Sequence, residues 1–294
     1  MVIVRLTGGI GNQMFQYAAA RRVSLIHRTQ LFLDMGWFQE EGWWTRRKYE
    51  LGAFRIRGEM APPDDIGALR SRRQNPLFRR LPALIKKWIF HPHQTHIIEK
   101  GYNFDPEILN LCDNIYLDGH WQSEKYFADI EPVIRREFSF RTEPDESNRR
   151  ILDRIGDCES VSIHIRRGDY VTLSQANAFH GLCPPSYYRS AVGYLSERIK
   201  EMVLFVFSDD IIWARDNMNL GFETHFMDHN GPERGDEDLR LMSACRHHII
   251  ANSSFSWWGA WICAHPGKIV CAPQKWFSGK IDTPDNIPVS WRRL

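Results

Sequence analysis

The first 34 residues constrain the fold of this chain more than any other stretch. Val2-Ile3-Val4-Arg5-Leu6 is a short, apolar, β-branched run bounded by Thr7-Gly8-Gly9, and it reads as a buried strand. Phe15, Ala18, Ala19, Val23 and Ile26 then recur at helical spacing between Asn12 and Arg28, and Leu31-Phe32-Leu33-Asp34 is a second strand. Strand, glycine turn, helix and strand make a βαβ unit, so the two strands lie parallel and the crossover is right-handed.

The same alternation returns later. Residues 37–96 read as loops, short helices and a basic stretch; Asn114 to Gly119 is a cleaner strand, and Trp121-Gln122-Ser123-Glu124 opens a helix. The polar, proline-bearing stretch 141–147 reads as an interdomain linker. Beyond it, strands are expected at Val161–Ile165, Val203–Phe207, Glu223–Met227, Ile249–Ala251 and Lys268–Ala272. Helices are expected at Asp145–Ile155, Pro185–Glu201, Ile211–Met218, Asp238–Arg246 and Phe255–Ala264. A chain of 294 residues has room for two such domains, here 1–144 and 145–294. Two Rossmann-like α/β halves predict a cleft, with ligands outside the carboxyl ends of the strands.

Composition excludes several classes. With 43% hydrophobic and 25% charged residues the chain is neither disordered nor fibrous. A net charge of +2 is too mild to indicate a nucleic-acid binder. Six cysteines without a C-x-x-C pair give neither a disulfide framework nor zinc-finger spacing, and point to free thiols in a reducing compartment. No apolar leader precedes Gly8 and no long apolar run follows, so the expectation is a cytoplasmic protein that does not span a membrane. Eleven Trp and seventeen Phe serve two readings, groove lining and bulky core filling.

Four segments stand at strand ends. Gly8-Gly9-Ile10-Gly11-Asn12-Gln13 combines a turn that admits close backbone approach with a helix N-terminus suited to an anion. The dinucleotide fingerprint wants glycine where Met14 stands, although Asp34 is placed like its ribose-binding acid, and a turn needed only for packing is the alternative. In His164-Ile165-Arg166-Arg167-Gly168-Asp169-Tyr170, two arginines leave a buried strand. Such a pair calls for an anion or carboxylates, with Arg166 expected on the ligand and Arg167 on a structural acid. Ser208-Asp209-Asp210 offers carboxylates that either accept guanine N–H groups or cap the next helix. Asn252-Ser253-Ser254-Phe255-Ser256 precedes an aromatic helix and has more hydroxyls than one cap needs, which favours phosphate binding.

Other features carry less. His91-x-His93-x-x-His96 is interrupted by proline and joined by no carboxylate or cysteine, so it reads as surface histidines rather than a metal site. The basic stretch Arg70 to Lys87 reads equally as a solvated face and as a contact for anionic headgroups or an acidic acceptor. No G-x-S-x-G elbow supports a hydrolase.

Together GGIGNQMFQYA at the start, DGHWQSEKYF at 118–127, HIRRGDYV at 164–171, FSDD at 207–210 and NSSFSWWGAW at 252–261 resemble the bacterial α-1,2-fucosyltransferases of glycosyltransferase family 11. The resemblance implies a GT-B architecture with GDP-fucose held mainly by the C-terminal domain. It puts His164 near guanine, Arg166 on the β-phosphate, and Asp209 or Asp210 on guanine N–H groups. Asn252, Ser253, Ser254 and Phe255 would serve the diphosphate. Gly11, Asn12 and Gln13 would face sugar and diphosphate from the other domain, while Trp121, Gln122 and Asp34 would lie toward a galactose-terminated acceptor. It implies inverting transfer to O2 of galactose without a metal or other cofactor. Related enzymes carry a glutamate beyond the arginine motif, where this chain reads Tyr170-Val171-Thr172-Leu173-Ser174; Asp169 and Asp34 are then the candidate bases. A nucleotide-linked oxidoreductase and a non-catalytic sugar-nucleotide or glycan-binding protein are the alternatives.

Overall fold

The computed structural model describes residues 1–42, 46–71, 95–279, 281 and 283–294. The chain forms two compact units, 1–52 with 56–137, and 53–55 with 138–294. The change of unit at Glu137/Phe138 comes earlier than the expected 144/145 boundary. Three residues explain it. Phe54 packs on Phe138 and Phe140 with ring centroids 5.4 and 5.2 Å apart, and Arg55 N–H donates to Ser139 at 3.1 Å. Part of the polar stretch read as a linker is therefore folded: Arg141 N–H donates to Ala53, and Asp145 caps the helix that follows.

The first unit is a five-stranded parallel sheet of β1 (Val2–Arg5), β2 (Leu31–Asp34), β3 (Glu59–Met60), β4 (His96–Ile98) and β5 (Ile115–Asp118), in the order β3-β2-β1-β5-β4. Helix α1 (Ile10–Ile26) crosses from β1 to β2 as expected, starting two residues earlier than the apolar spacing indicated. It buries Met14, Phe15, Tyr17 and the Ala18–Ala20 run, whose small side chains let it lie close on the sheet. Helices α2 (Pro63–Ser71) and α3 (Glu131–Glu137) complete the unit among the described residues. Glu137 is buried and takes the Tyr17 hydroxyl at 2.5 Å and the Arg21 guanidinium at 2.9 Å, so its charge is both paired and hydrogen-bonded. No helix begins at Trp121: its backbone is left-handed (φ +54°), and two 3₁₀ turns, Glu124–Tyr126 and Ala128–Ile130, follow instead. The weak periodicity of 37–96 conceals β3, α2 and the start of β4, because these strands are too short to alternate visibly.

The second unit is a six-stranded parallel sheet in the order β11-β10-β9-β6-β7-β8, built from β6 (Glu159–Ile165), β7 (Met202–Ser208), β8 (Thr224–Phe226), β9 (His247–Ile249), β10 (Val270–Ala272) and β11 (Arg292–Arg293). Central β6 and β7 are buried almost along their whole length, the mark of a parallel sheet covered on both faces. Val161, Ile163, Ile165, Leu204, Val206 and Ile249 form the core with Tyr188, Ala191 and Leu195. Helices α4 (Glu146–Gly156), α5 (Gly168–Thr172), α6 (Ser174–His180), α7 (Pro185–Ser196), α8 (Ile211–Asn217), α9 (Gly235–Ala244) and α10 (Ser254–Ile262) connect the strands. Sequence periodicity anticipated five of these seven; α5 and α6 are too short for it to resolve.

All six cysteines are free thiols, and no described helix is long and apolar enough to cross a membrane. His91, His93 and most of the Arg70–Lys87 stretch lie outside the described residues. His96 is described and pairs with Asp118 at 3.2 Å.

Candidate functional site

In the second unit the chain builds β7 and β8 on one side of β6, then returns to place β9, β10 and β11 on the other. That reversal makes a switch point at the carboxyl ends of β6 and β9, where open parallel sheets bind their ligands. Two of the four segments singled out in the sequence, 164–170 and 252–256, leave the sheet at this point.

Arg166 follows β6 directly. Its Nη2 donates to Asp169 Oδ1 at 2.6 Å, and its Nη1 lies 2.8 Å from Asp209 Oδ2. Burial opposes the charge, but Asp209 and Asp169 outweigh it and hold the guanidinium above its ordinary range. The expectation that only Arg167 meets structural acids is therefore corrected: both arginines do. Arg167 Nε donates to Asp210 Oδ2 at 3.1 Å, and its guanidinium stacks 3.7 Å over Trp213. Asp209 Oδ1 accepts Arg167 N–H at 2.8 Å, and Asp210 Oδ1 caps α8 through Trp213 N–H at 3.2 Å. Of the two readings left open for this acid pair, helix capping describes Asp210 in this structure. The carboxylates are committed to the arginines and to a helix cap. Gly168 permits the arrangement, since a Cβ there would stand 2.4 Å from Asp209 Oδ2. Asp169, expected as a base, already accepts from Arg166.

His164 is 4% exposed, with its ring 5.4 Å from Phe255. Burial, reinforced by Arg166, pushes its pKa down to about 3, so the imidazole is neutral; its Nδ1 is buried without a partner. Ser253 is the N-cap residue of α10, but its side chain does not cap the helix. A phosphate-binding reading needs such an uncommitted hydroxyl. Asn252, by contrast, has structural partners. It is buried, donates to the carbonyls of His180 at 2.9 Å and Trp276 at 3.2 Å, and accepts from Cys183. The aromatic residues after the serines are core: Trp257 and Trp258 are fully buried.

The first unit has its own switch point between β1 and β5, with β2 and β3 on one side and β4 on the other. Gly8 (φ +71°) turns the chain into α1, and a Cβ there would stand 2.5 Å from Asn12 Nδ2. Asn12 Oδ1 accepts Gln122 Nε2 at 3.0 Å, joining two predicted residues 110 positions apart. Gln16, missed in the sequence, takes Thr7 N–H at 2.9 Å and donates to Gly119 O at 3.1 Å. It stands one turn after Asn12 and Gln13, a row of amides along a helix start that periodicity arguments overlook. Gly11 is buried inside α1.

Three of the expected site residues have partners within this unit. Gln13 is buried and staples a loop, donating to Gly8 O and Lys48 O at 3.0 and 2.8 Å and accepting Glu50 N–H at 2.9 Å. Asp34 accepts the Tyr116 hydroxyl at 2.5 Å and Gly36 N–H at 2.9 Å, which occupies both of its oxygens. Trp121 is fully buried against Tyr126, a core ring rather than a groove wall. The other missed residue is Glu99, just past β4, whose carboxylate takes two main-chain N–H groups of the 120–121 turn. Among the described residues no group of three or more His, Cys, Asp and Glu side chains could hold a metal ion.

The family model for glycosyl transferase family 11 matches residues 93–291, which include the arginine motif at one switch point and the 118–127 turn at the other. The chain belongs to glycosyltransferase family 11. Family 11 membership sets aside the oxidoreductase and non-catalytic alternatives: the protein is a glycosyltransferase. An Escherichia coli alpha-1,2-colitosyltransferase is 34% identical over 100% of this chain and 99% of its own length. The E. coli O-antigen biosynthesis glycosyltransferase WbnK is 34% identical over 93% of this chain and 94% of its own. A galactoside alpha-(1,2)-fucosyltransferase 1 of Rattus norvegicus is 27% identical, over 54% of this chain and 50% of its own. Among solved structures, a mutant of Arabidopsis thaliana FUT1 in complex with GDP aligns at a TM-score of 0.51, with 11% identity, over 92% of this chain and 69% of that one. That likeness is one of fold, and it agrees with the GT-B class of two parallel-sheet α/β units expected for family 11.

Proposed function

We propose that this chain transfers L-fucose from GDP-β-L-fucose to O2 of a terminal galactose, forming an α-1,2 linkage with inversion and without a metal ion. The observation that carries the reading is Arg166, fixed by two carboxylates at the carboxyl end of β6 beside the 252–256 turn. As the bond between C1 and the β-phosphate oxygen breaks, negative charge gathers on GDP. A pre-oriented guanidinium meets that charge without reorganising, the usual source of the largest catalytic term. Asp169 accepts from one of its N–H donors and Asp209 pairs with its charge, which leaves further N–H donors of the fork for phosphate oxygens. In this reading Asp169 and Asp209 orient Arg166, the 253–255 backbone and hydroxyls meet the diphosphate, and neutral His164 lies against the nucleoside. Asn12 and Gln122 form the sugar- and acceptor-side pair.

A second donor is favoured by one observation, the colitosyltransferase relative. Colitose is L-fucose without its 3-hydroxyl. A site that hydrogen-bonds the 3-hydroxyl rejects the deoxy sugar by about 10⁴-fold, whereas an apolar one discriminates weakly. Incubation with each GDP-sugar and a β-galactoside, with GDP release and product NMR as readouts, decides both points. GDP-fucose turnover with a new α-1,2 linkage supports the reading; turnover of GDP-colitose alone replaces the donor, and release of no GDP from either contradicts the proposal.

A further inference from the structure

Glu99 follows β4, and its backbone N–H donates to Asp118 O on β5 at 2.9 Å. Its side chain crosses to the turn after β5. Oε2 accepts His120 N–H at 2.6 Å and Oε1 accepts Trp121 N–H at 3.0 Å. The fit is close, because a Cβ on Gly119 would stand 2.4 Å from Glu99 Cβ and 2.9 Å from Oε2. What the carboxylate holds is costly. Trp121 is a bulky residue with φ +54°, a left-handed conformation that strains an L side chain. His120 Nδ1 and Trp121 Nε1 are buried with no hydrogen-bond partner. The next residue is Gln122, whose amide reaches Asn12 at the start of α1.

We propose that Glu99 is a positioning residue for the acceptor side: its carboxylate clamps the 119–122 turn so that Gln122 and Asn12 meet. This inference rests on the transfer reaction proposed above. A carboxylate in this place also makes the clamp sensitive to pH, because only the ionised form accepts both amides well. Burial pushes the Glu99 pKa up to about 7, against the two amide bonds. Among the described residues, the strand ends next to it carry Asp118 and His120 at the end of β5, His96 on β4 and Arg5 on β1. His96 and Arg5 both turn to Asp118, at 3.2 and 3.5 Å. Burial holds His120 below its ordinary range, and replacing the Glu99 carboxyl itself separates its titration from those of its neighbours.

The test compares the wild type with Glu99→Gln, in which an NH₂ group replaces one acceptor and faces an N–H group. In ¹⁵N-labelled protein, the His120 and Trp121 amide resonances should titrate with a midpoint near 7 in the wild type and not in the variant. Transfer to a galactoside should show a wild-type kcat that rises through the same midpoint. In Glu99→Gln that limb should vanish and kcat at pH 8 should fall about tenfold, with GDP affinity unchanged. Amides that titrate alike in both proteins, or a variant with the wild-type rate and profile, would overturn the proposal. The amide titration needs no turnover. A wild type inert toward galactosides refutes the function proposed above, and the wild-type amide midpoints then decide whether Glu99 clamps the turn.

Discussion

Asp209 Oδ2 lies 2.8 Å from Arg166 Nη1, while its other oxygen accepts the main-chain N–H of Arg167 at 2.8 Å. One carboxylate thus fixes both the guanidinium and the chain that carries it, and it adds negative charge where a diphosphate would bind. Asp209→Asn keeps the shape and the Arg167 contact but removes that charge. GDP should bind about tenfold tighter, the equivalent of roughly 1.4 kcal/mol, and kcat should fall because product leaves more slowly. Calorimetric titration with GDP beside steady-state transfer checks both; weaker GDP binding would show that Asp209 only supports the fold.

Arg166→Ala removes the donor group itself. The rate of transfer should fall by on the order of 10²–10³, as for other lost contacts to developing negative charge. The melting temperature without ligand should change far less, because the two acids left behind are partly solvated. Transfer within tenfold of the wild type would remove Arg166 from the mechanism.

Gly168 lies where a side chain would collide with Asp209. Gly168→Ala should therefore destabilise the second unit by about 1–3 kcal/mol, the ordinary cost of overpacking. It should also lower transfer, since Asp209 must move away from Arg166. Chemical denaturation and initial rates measure the two effects, and an alanine variant of unchanged rate and stability would contradict the packing.

His164 is held neutral by burial, with its pKa pushed down to about 3. A histidine depressed in the native state costs stability as pH falls below its unfolded value near 6.5, because only the unfolded chain then takes up the proton. At pH 5 this amounts to about 2 kcal/mol for one such group. Urea denaturation at pH 7.5 and 5 should show that loss in the wild type and a smaller one in His164→Gln. Equal losses would mean that the imidazole ionises freely in the folded protein.

Metal independence makes its own demand. Transfer should continue at an undiminished rate in EDTA; a complete loss restored by Mg²⁺ or Mn²⁺ would require the leaving diphosphate to be neutralised by a cation.

Much of the fold was legible because its long central elements repeat one pattern. The strand–glycine–helix opening and the continuous apolar runs of β6 and β7 are signals that burial on both sheet faces imposes. Short edge strands such as β3 and β11 carry two residues each and leave no period to read. At the site, the motifs at 8–13, 118–127, 164–171 and 252–261 fell on the two switch points and 207–210 on neighbouring β7, yet roles were harder to assign. Residue type shows that Asp209, Asn252 and Gln13 are polar, but only three-dimensional partners show that their groups are already committed. Glu99 was invisible for a related reason. Its partners are backbone amides across a strand, which no side-chain pattern reports.

A crystal of the protein soaked with GDP tests the central claim most directly. The account places the diphosphate within hydrogen-bond distance of Arg166, with its oxygens toward the 253–255 turn. Density for GDP elsewhere, with Arg166 still bound only to Asp169 and Asp209, would contradict it.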